Sequence, residues 1–232
     1  SALGTVARRM IQRRIRTIWP DVNGMQILGL GFATPYLRAF HDEASHTLAA
    51  MPAAQGVLNW PANGDGLTAL VDEADLPFAD LSINRVLLVH ALESTYNVRP
   101  MLREVWRVLA SGGRMIIVVP NRQGLWARFD STPFGRGLPY SSRQLSTVLC
   151  ENLFTPYRSE KALFIPPTRS RVILSSASAI EEIGHRWFPA FAGVTIVEAT
   201  KQIYARHPQT KHEPSIVHLP QQSTRAPTRE RL

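Results

Sequence analysis

The chain has 232 residues, of which 44% are hydrophobic, and this suits one globular α/β domain that can bury a full core. Its one cysteine, Cys150, excludes an internal disulfide and a cysteine-based metal cluster, and no apolar run approaches the roughly 20 residues that span a bilayer. The net charge of +8 comes from the two ends of the chain, which leaves the body near neutral and makes nucleic acid a weakly supported partner. No secretory segment opens the chain, so we expect a cytoplasmic protein without membrane contact.

The opening segment predicts an amphipathic helix over residues 3–18. Apolar residues recur there every three or four positions, and the five arginines lie off that stripe. A proline at position 20 ends the pattern. We expect the stripe to dock on the domain and leave Arg8, Arg9 and Arg13 exposed to a substrate or partner.

The first half of the body alternates strand and helix patterns. Thr34 and Pro35 suit the N-cap and first position of a helix. Two apolar runs on either side of a turn-rich segment predict a hairpin. The predicted elements are a strand over 25–30, a helix from about 34 to 41, a second strand over 46–50, and hairpin arms over 57–60 and 67–71.

The central segment predicts a strand, a helix and a second strand. Ile83–Val89 is an apolar, β-branched run typical of a strand covered on both faces. A helix follows over Val98–Leu109, and Gly112-Gly113 is expected to end it with a left-handed residue. Met115–Val119 then forms a strand, so the unit is a right-handed parallel crossover.

The last third predicts alternating helices and strands and then a tail. Ser141 is expected to cap a helix, and from residue 205 the chain has no periodicity and is expected to be disordered. The predicted elements are a helix starting over 120–126 and broken at 133–137, a helix from 141 to about 151, a strand over 162–165, a helix over 169–187 and a strand over 194–204.

Residues 72–114 resemble the second half of the class I S-adenosylmethionine-dependent methyltransferase domain of the type 11-like branch. The resemblance rests on an acid, Asp72, followed by Leu76-Pro77-Phe78, and on a helix that ends in Arg107-Val108-Leu109 before Gly112-Gly113-Arg114. It implies an α/β fold with a single Rossmann-like, doubly wound, seven-stranded mixed sheet, helices on both faces and the last strand antiparallel. The methyltransferase-like domain would then span 25–204, between a helix and linker at 1–24 and a basic tail at 205–232.

The same resemblance implies S-adenosylmethionine as cofactor. It places the cofactor over Gly29, Leu30, Gly31 and Phe32, with Asp72 accepting a bond from the adenine amino group and Glu73 and Val89 alongside. The glycine series is degenerate, because Gly29 replaces the usual acid, Gly31 alone remains of three glycines, and Pro35 lacks a backbone donor. The second strand ends without a carboxylate, where Gln55 offers a neutral acceptor.

Two further residues are candidates for catalysis. His90 follows the fourth strand and could act as a general base near neutral pH, although a lone histidine also suits a structural role. Tyr140 lies where a substrate loop is expected. No metal-ligand spacing is present. We therefore expect a methyltransferase acting on a small-molecule methyl acceptor; the alternative is a methyltransferase-fold binding or scaffold protein with weak or lost cofactor binding, and a protein partner is compatible with both.

Overall fold

The computed structural model describes residues 2–63, 65–128, 134, 137–168 and 170–203. The tail predicted over 205–232 lies outside these residues.

Seven strands of the described chain form one sheet in the order β3-β2-β1-β4-β5-β7-β6. The first five pair in parallel, β7 runs antiparallel to β5, and β6 runs antiparallel to β7. The predicted mixed sheet, with its antiparallel last strand, is confirmed. The strands are β1 (Gln26–Gly31), β2 (His46–Pro52), β3 (Thr68–Val71), β4 (Ile83–Val89), β5 (Leu109–Pro120), β6 (Phe154–Ala162) and β7 (Val194–Lys201).

Helices cover both faces of this sheet. Alternate residues of β4 lie in two separate apolar clusters, with Leu87 and Val89 on one side and Val86 and Leu88 on the other. The first cluster packs against α1, α5 and α6, and the second packs against α3 and α4. The helices are α1 (Ala2–Ile18), α2 (Thr34–Leu37), α3 (Val98–Val108), α4 (Ser142–Glu151), α5 (Arg171–Ser175) and α6 (Ala177–Trp187), and single 3-10 turns occur at Ala53–Gln55, Trp126–Arg128 and Pro189–Phe191.

Helix α1 docks through the stripe that the sequence indicates. Its buried residues are Ala7, Met10, Ile11, Ile15 and Ile18. The three arginines at positions 8, 9 and 13 are exposed. Arg8 lies close enough to Tyr36 of α2 for its charge to oppose the effect of burial, which raises the pKa of that phenol. The helix therefore covers the sheet beside the turn that follows β1.

The predicted hairpin is wrong. Residues 57–60 form no strand, and β3 pairs in parallel with β2. Leu67 N–H still donates to the Trp60 carbonyl at 2.7 Å, which closes the loop between them. The parallel arrangement pairs the backbone N–H and C=O groups at the outer edge of β2, which a separate hairpin would have left unpaired.

The predicted role of Gly112 and Gly113 is also wrong. Helix α3 ends at Val108, and the extended residue Leu109 already begins β5. Neither glycine has a positive φ. A Cβ on Gly113 would lie 2.7 Å from Cγ of Leu109, so a close approach within the strand requires this glycine.

The sixth strand lies earlier than predicted. It spans Phe154–Ala162, and the chain then turns at Leu163 with φ 70°. The N–H groups of Leu163 and Phe164 donate to the buried carboxylate of Glu181 at 2.9 and 2.8 Å instead of to a strand. The apolar run that follows Ala162 is therefore a buried turn rather than a strand.

Three helix predictions need correction, whereas the predicted cap of α4 is confirmed. The segment 120–126 begins no helix, since the described residues there form turns and one 3-10 turn, and the helix predicted over 169–187 is two helices that break at Ser176. Helix α2 has four residues, and Ala33 rather than Thr34 is its N-cap. Ser141 does cap α4, in a reciprocal capping box with Gln144.

Candidate functional site

The candidate site lies at the carboxyl ends of β1 and β4. The strand order reverses at this point, since β2 and β4 flank β1, and open α/β sheets form their ligand crevice at such a reversal. Gly31 pairs with Val89, and Phe32 N–H donates to the Val89 carbonyl at 2.8 Å. Two of the predicted cofactor segments thus meet at one edge of the sheet.

Gly31 is required by the shape of this edge. Its φ is 79°, and a Cβ would lie 2.5 Å from the Val89 carbonyl oxygen and 3.0 Å from Cβ of Ala91. No other residue fits without moving the end of β4. The floor of the crevice is therefore bare backbone at this position.

The Gly29 position explains why the usual acid is missing. A Cβ there would meet Cδ1 of Leu37 at 2.6 Å and Cβ of Ala33 at 2.7 Å. Both side chains are fully buried, so helix α2 packs where an acidic side chain would stand. Pro35 lies in the first turn of α2 and offers no backbone donor.

Gln55 reaches across the crevice. It follows β2, and its Nε2 donates to the His90 carbonyl, beyond the end of β4, at 2.9 Å. Because β1 lies between these strands, the bond passes over the end of β1. The side-chain oxygen of Gln55 can itself accept a hydrogen bond.

The predicted adenine-side acids are held by two loops. Asp72 is exposed, and its Oδ1 accepts from Ala74 N–H at 2.8 Å. Glu73 is half-buried and accepts from Oγ1 of Thr95, in the loop after β4, at 2.9 Å. The loops that follow β3 and β4 are therefore joined beside the crevice.

An arginine that sequence reasoning did not assign to the site anchors the loop after Asp72. Arg107 donates to the carbonyls of Leu76 and Phe78 at 2.9 and 2.8 Å and to Asp80 at 2.5 Å. Glu104 accepts from Leu76 N–H at 2.9 Å, and its bond from Arg107 holds its pKa below the ordinary value, with the same bond raising the pKa of Arg107. Leu-Pro-Phe and the arginine that ends α3 are thus two halves of one hydrogen-bonded unit.

His90 is paired with a glutamate that the sequence reasoning also missed. Nδ1 of His90 lies 2.5 Å from Oε1 of Glu93, and the two side chains are 14% and 2% exposed. Oε2 of Glu93 is buried without a hydrogen-bond partner among the described residues. The sequence offered one signal for this pairing, since Glu93 follows His90 by three residues just after the end of β4.

Tyr140 joins the same cluster. Burial raises its pKa, and the nearby charge of Glu93 raises it further. Its backbone bonds Pro120 and Arg122 at the end of β5, and Leu138 N–H donates to the Glu93 carbonyl at 3.1 Å. Glu93 therefore brings together the two residues predicted for catalysis, His90 and Tyr140.

The described residues contain no group of three or more histidine, cysteine or acidic side chains placed to hold a metal ion. Among the same residues, no helix is both long enough and apolar enough to pass through a bilayer.

Comparison with known proteins gives the class. Residues 28–117 match the model of a family described as a methyltransferase domain. The protein YrhH of Bacillus subtilis (strain 168) is 38% identical over 50 residues, which cover 22% of this chain and 28% of the relative. The chain therefore matches less than a third of the length of this curated relative.

Solved structures agree on the fold. A chain of the Haloferax volcanii complex between the Trm112 methyltransferase activator and a methyltransferase has a TM-score of 0.60 at 17% identity, over 86% of this chain and 93% of that chain. An S-adenosylmethionine-dependent methyltransferase from Thermotoga maritima has a TM-score of 0.60 at 14% identity, over 86% and 92%. At these identities the likeness shows the fold alone.

The fold is that of class I methyltransferases, with the strand order and the antiparallel β7 described above. Residues 28–117 match the methyltransferase-domain family, and this match confirms the resemblance seen in the sequence.

Proposed function

We propose that the protein is an S-adenosylmethionine-dependent methyltransferase that acts on a small molecule. The observation that carries the proposal is the crevice at the ends of β1 and β4, whose floor at Gly31 admits no side chain. A ligand can approach the backbone closely only where such a cradle exists. When bound, the cofactor would supply an activated methyl group.

The described residues fit the cofactor on the adenosine side of this crevice. The backbone of Gly29–Phe32 would form the floor, with Asp72, Glu73 and Val89 on the adenine side. Gln55 would accept from a ribose hydroxyl with its side-chain oxygen, since its nitrogen is already bonded to His90. A neutral acceptor binds more weakly than a carboxylate, so we expect weaker cofactor affinity than with an acid at this position.

The second candidate is a binding or scaffold protein with this fold. The packing of Leu37 and Ala33 into the Gly29 position favours it, because no acid can stand there. In this case the chain would keep the sheet and lose affinity for the cofactor. A fold by itself does not establish activity, so binding must be measured.

Isothermal titration calorimetry with S-adenosylmethionine tests the proposal. We expect binding, and we expect Asp72→Ala to weaken it about tenfold, which is ~1.4 kcal/mol for one lost hydrogen bond. Asp75→Ala is the matched control, because Asp75 is exposed on the same turn. Absence of binding to the folded protein would favour the scaffold reading, and equal affinities for both variants would contradict the placement of Asp72.

A partner surface is a separate part of the proposal. Arg9, Arg13 and Arg16 line a groove of about 470 Å³ between α1 and the segment after α2, and Glu43 of that segment pairs with Arg16 at 2.6 Å. Its charge suits an acidic protein partner, with nucleic acid as the alternative. Nucleic-acid affinity that falls steeply with salt, and that is lost on trimming both basic ends, would favour the alternative.

A further inference from the structure

The His90 side chain lies at the edge of the crevice. His90 is the first residue after β4, directly beyond the Val89 carbonyl that faces Gly31. Its own carbonyl receives the bond from Gln55. The backbone of His90 is therefore fixed next to the position where the proposed function places the reacting groups, and the imidazole contacts Glu93 and Phe134.

The contact with Glu93 determines which nitrogen of His90 carries a proton. Where the Glu93 carboxylate is the acceptor across the 2.5 Å contact, Nδ1 of His90 is the donor. Neutral His90 then has its lone pair on Nε2. A carboxylate in this position orients the ring and stabilises the imidazolium that forms when Nε2 takes a proton.

The His90–Glu93 pair would destabilise the fold if its role were purely structural. His90 has φ 53°, a left-handed conformation that only a few per cent of residues other than glycine adopt, with asparagine, aspartate and histidine the most frequent among them. Among the described residues, Oε2 of the buried Glu93 has no hydrogen-bond partner, and Oε1 is paired with His90. Buried acids without full hydrogen bonding destabilise a fold, and such features concentrate at functional sites.

Among the described residues, aromatic rings pack beside the His90 ring. Phe134 meets the His90 ring edge-to-face at 4.9 Å, and Trp126 meets Phe134 at 5.1 Å. Tyr140, which bridges to Asn121 just after β5, lies near enough to Glu93 for that charge to add to the effect of burial, and both raise the pKa of the phenol. No lysine or arginine among the described residues is paired with Glu93.

We propose that His90 is a general base and Glu93 its positioning residue, and that the methyl acceptor carries an ionisable O–H or N–H group. The acceptor atom bonds to the methyl carbon as the carbon–sulfur bond breaks, and the electron pair of that bond goes to sulfur. The acceptor's proton goes to Nε2 of His90. This inference rests on the proposed function and names the acceptor class for the same site.

Histidine-selective ¹⁵N NMR of the full chain tests the geometry without any ligand. We expect neutral wild-type His90 to carry its proton on Nδ1, and Glu93→Gln to populate both tautomers, since an amide can donate or accept. Ser94→Ala is the matched control, because it removes only the 2.8 Å bond from Ser94 to the His90 carbonyl. A wild-type proton on Nε2, or an unchanged tautomer in Glu93→Gln, overturns the assignment.

Kinetics test the base. The assay follows formation of the demethylated cofactor with a panel of phenols, imidazoles and primary amines as methyl acceptors. For Glu93→Gln we expect kcat to fall at least about tenfold, while KM for the acceptor changes by less than about twofold. His90→Gly suits the backbone angle and should regain activity with added imidazole. Unchanged kcat, a change in KM alone, or no turnover of any panel member by a protein that binds S-adenosylmethionine overturns the inference. Failure to bind S-adenosylmethionine contradicts the proposed function instead. The NMR measurement of the His90 tautomer then decides whether Glu93 orients His90.

Discussion

Nη2 of Arg107 donates a hydrogen bond to the backbone carbonyl of Leu76 at 2.9 Å. The same guanidinium reaches Phe78, and its neighbour Glu104 accepts from Leu76 N–H. The end of α3 therefore holds both sides of the loop that carries Asp72. Two sequence features 31 residues apart act as one structural unit beside the crevice.

Arg107→Lys should lower the free energy of unfolding by about 1–3 kcal/mol, because an ammonium cannot bond two carbonyls and two carboxylates in the planar arrangement of a guanidinium. Urea denaturation measures this. Arg103→Lys, on an exposed position of the same helix, is the control and should change stability little. Equal effects of both substitutions would show that the loop is held by other contacts.

The same unit makes stability depend on pH. The bond from Arg107 is the main cause of the lowered pKa of Glu104 in the folded protein. A depressed folded pKa contributes stability above the ordinary value of 4.5, and this is lost as pH falls through the folded value. Wild type should therefore exceed Glu104→Gln in unfolding free energy near pH 7, and the difference should shrink toward about pH 3. A difference that is independent of pH would contradict the assignment.

Gly31→Ala should disturb both the fold and the crevice. The added Cβ would meet the Val89 carbonyl at 2.5 Å, whereas Gly24, with φ 69°, has open space around it. Gly24→Ala should thus cost only the left-handed conformation, about 1–2 kcal/mol. Thermal unfolding should show a larger loss for Gly31→Ala, and calorimetry should show that only this variant loses S-adenosylmethionine affinity. Normal binding by Gly31→Ala would place the cofactor elsewhere.

Glu181, which lies on α6, holds the turn that follows β6. Removing its carboxylate in Glu181→Ala leaves the N–H groups of Leu163 and Phe164 buried without their acceptor, and should cost about 2–4 kcal/mol. Glu182→Ala, at the next and exposed position, should stay within about 0.5 kcal/mol of wild type. Chemical denaturation of the two variants gives the comparison, and a small loss for both would mean that water satisfies the turn.

The docking of α1 can be measured through one buried residue. Ile11 is completely buried in the cluster shared with α5 and α6, so Ile11→Ala should destabilise by about 2–5 kcal/mol. Arg9→Ala, on the exposed side, should be close to neutral. An isolated helix of this length is marginal in water, so protection of its amides requires docking. Hydrogen exchange should therefore show protected amides in the middle of α1. Fast exchange throughout α1 would show that it is undocked.

The local pattern of the sequence was sufficient to predict the elements that depend on neighbouring residues or on even burial along their length. Strand β4 was predicted with its observed bounds, α3 to within one residue, and the capping box of α4 at Ser141. A strand buried on both faces reads as a continuous apolar run, and a cap depends on side chains only three residues apart. The resemblance to methyltransferases then supplied the seven-stranded mixed sheet with its antiparallel last strand, which periodicity alone does not specify.

Tertiary contacts decided the rest. Whether 162–165 extends a strand depends on Glu181, nearly 20 residues further along, and β3 pairs with β2 rather than with its predicted hairpin arm. The sequence pointed to Gly31, His90 and Tyr140 separately, but their grouping through Glu93 and Gln55 depends on strand ends that only the folded sheet brings together. Hydrogen bonds between distant segments leave no periodic trace in a sequence, so the candidate site could be assembled only from the structure.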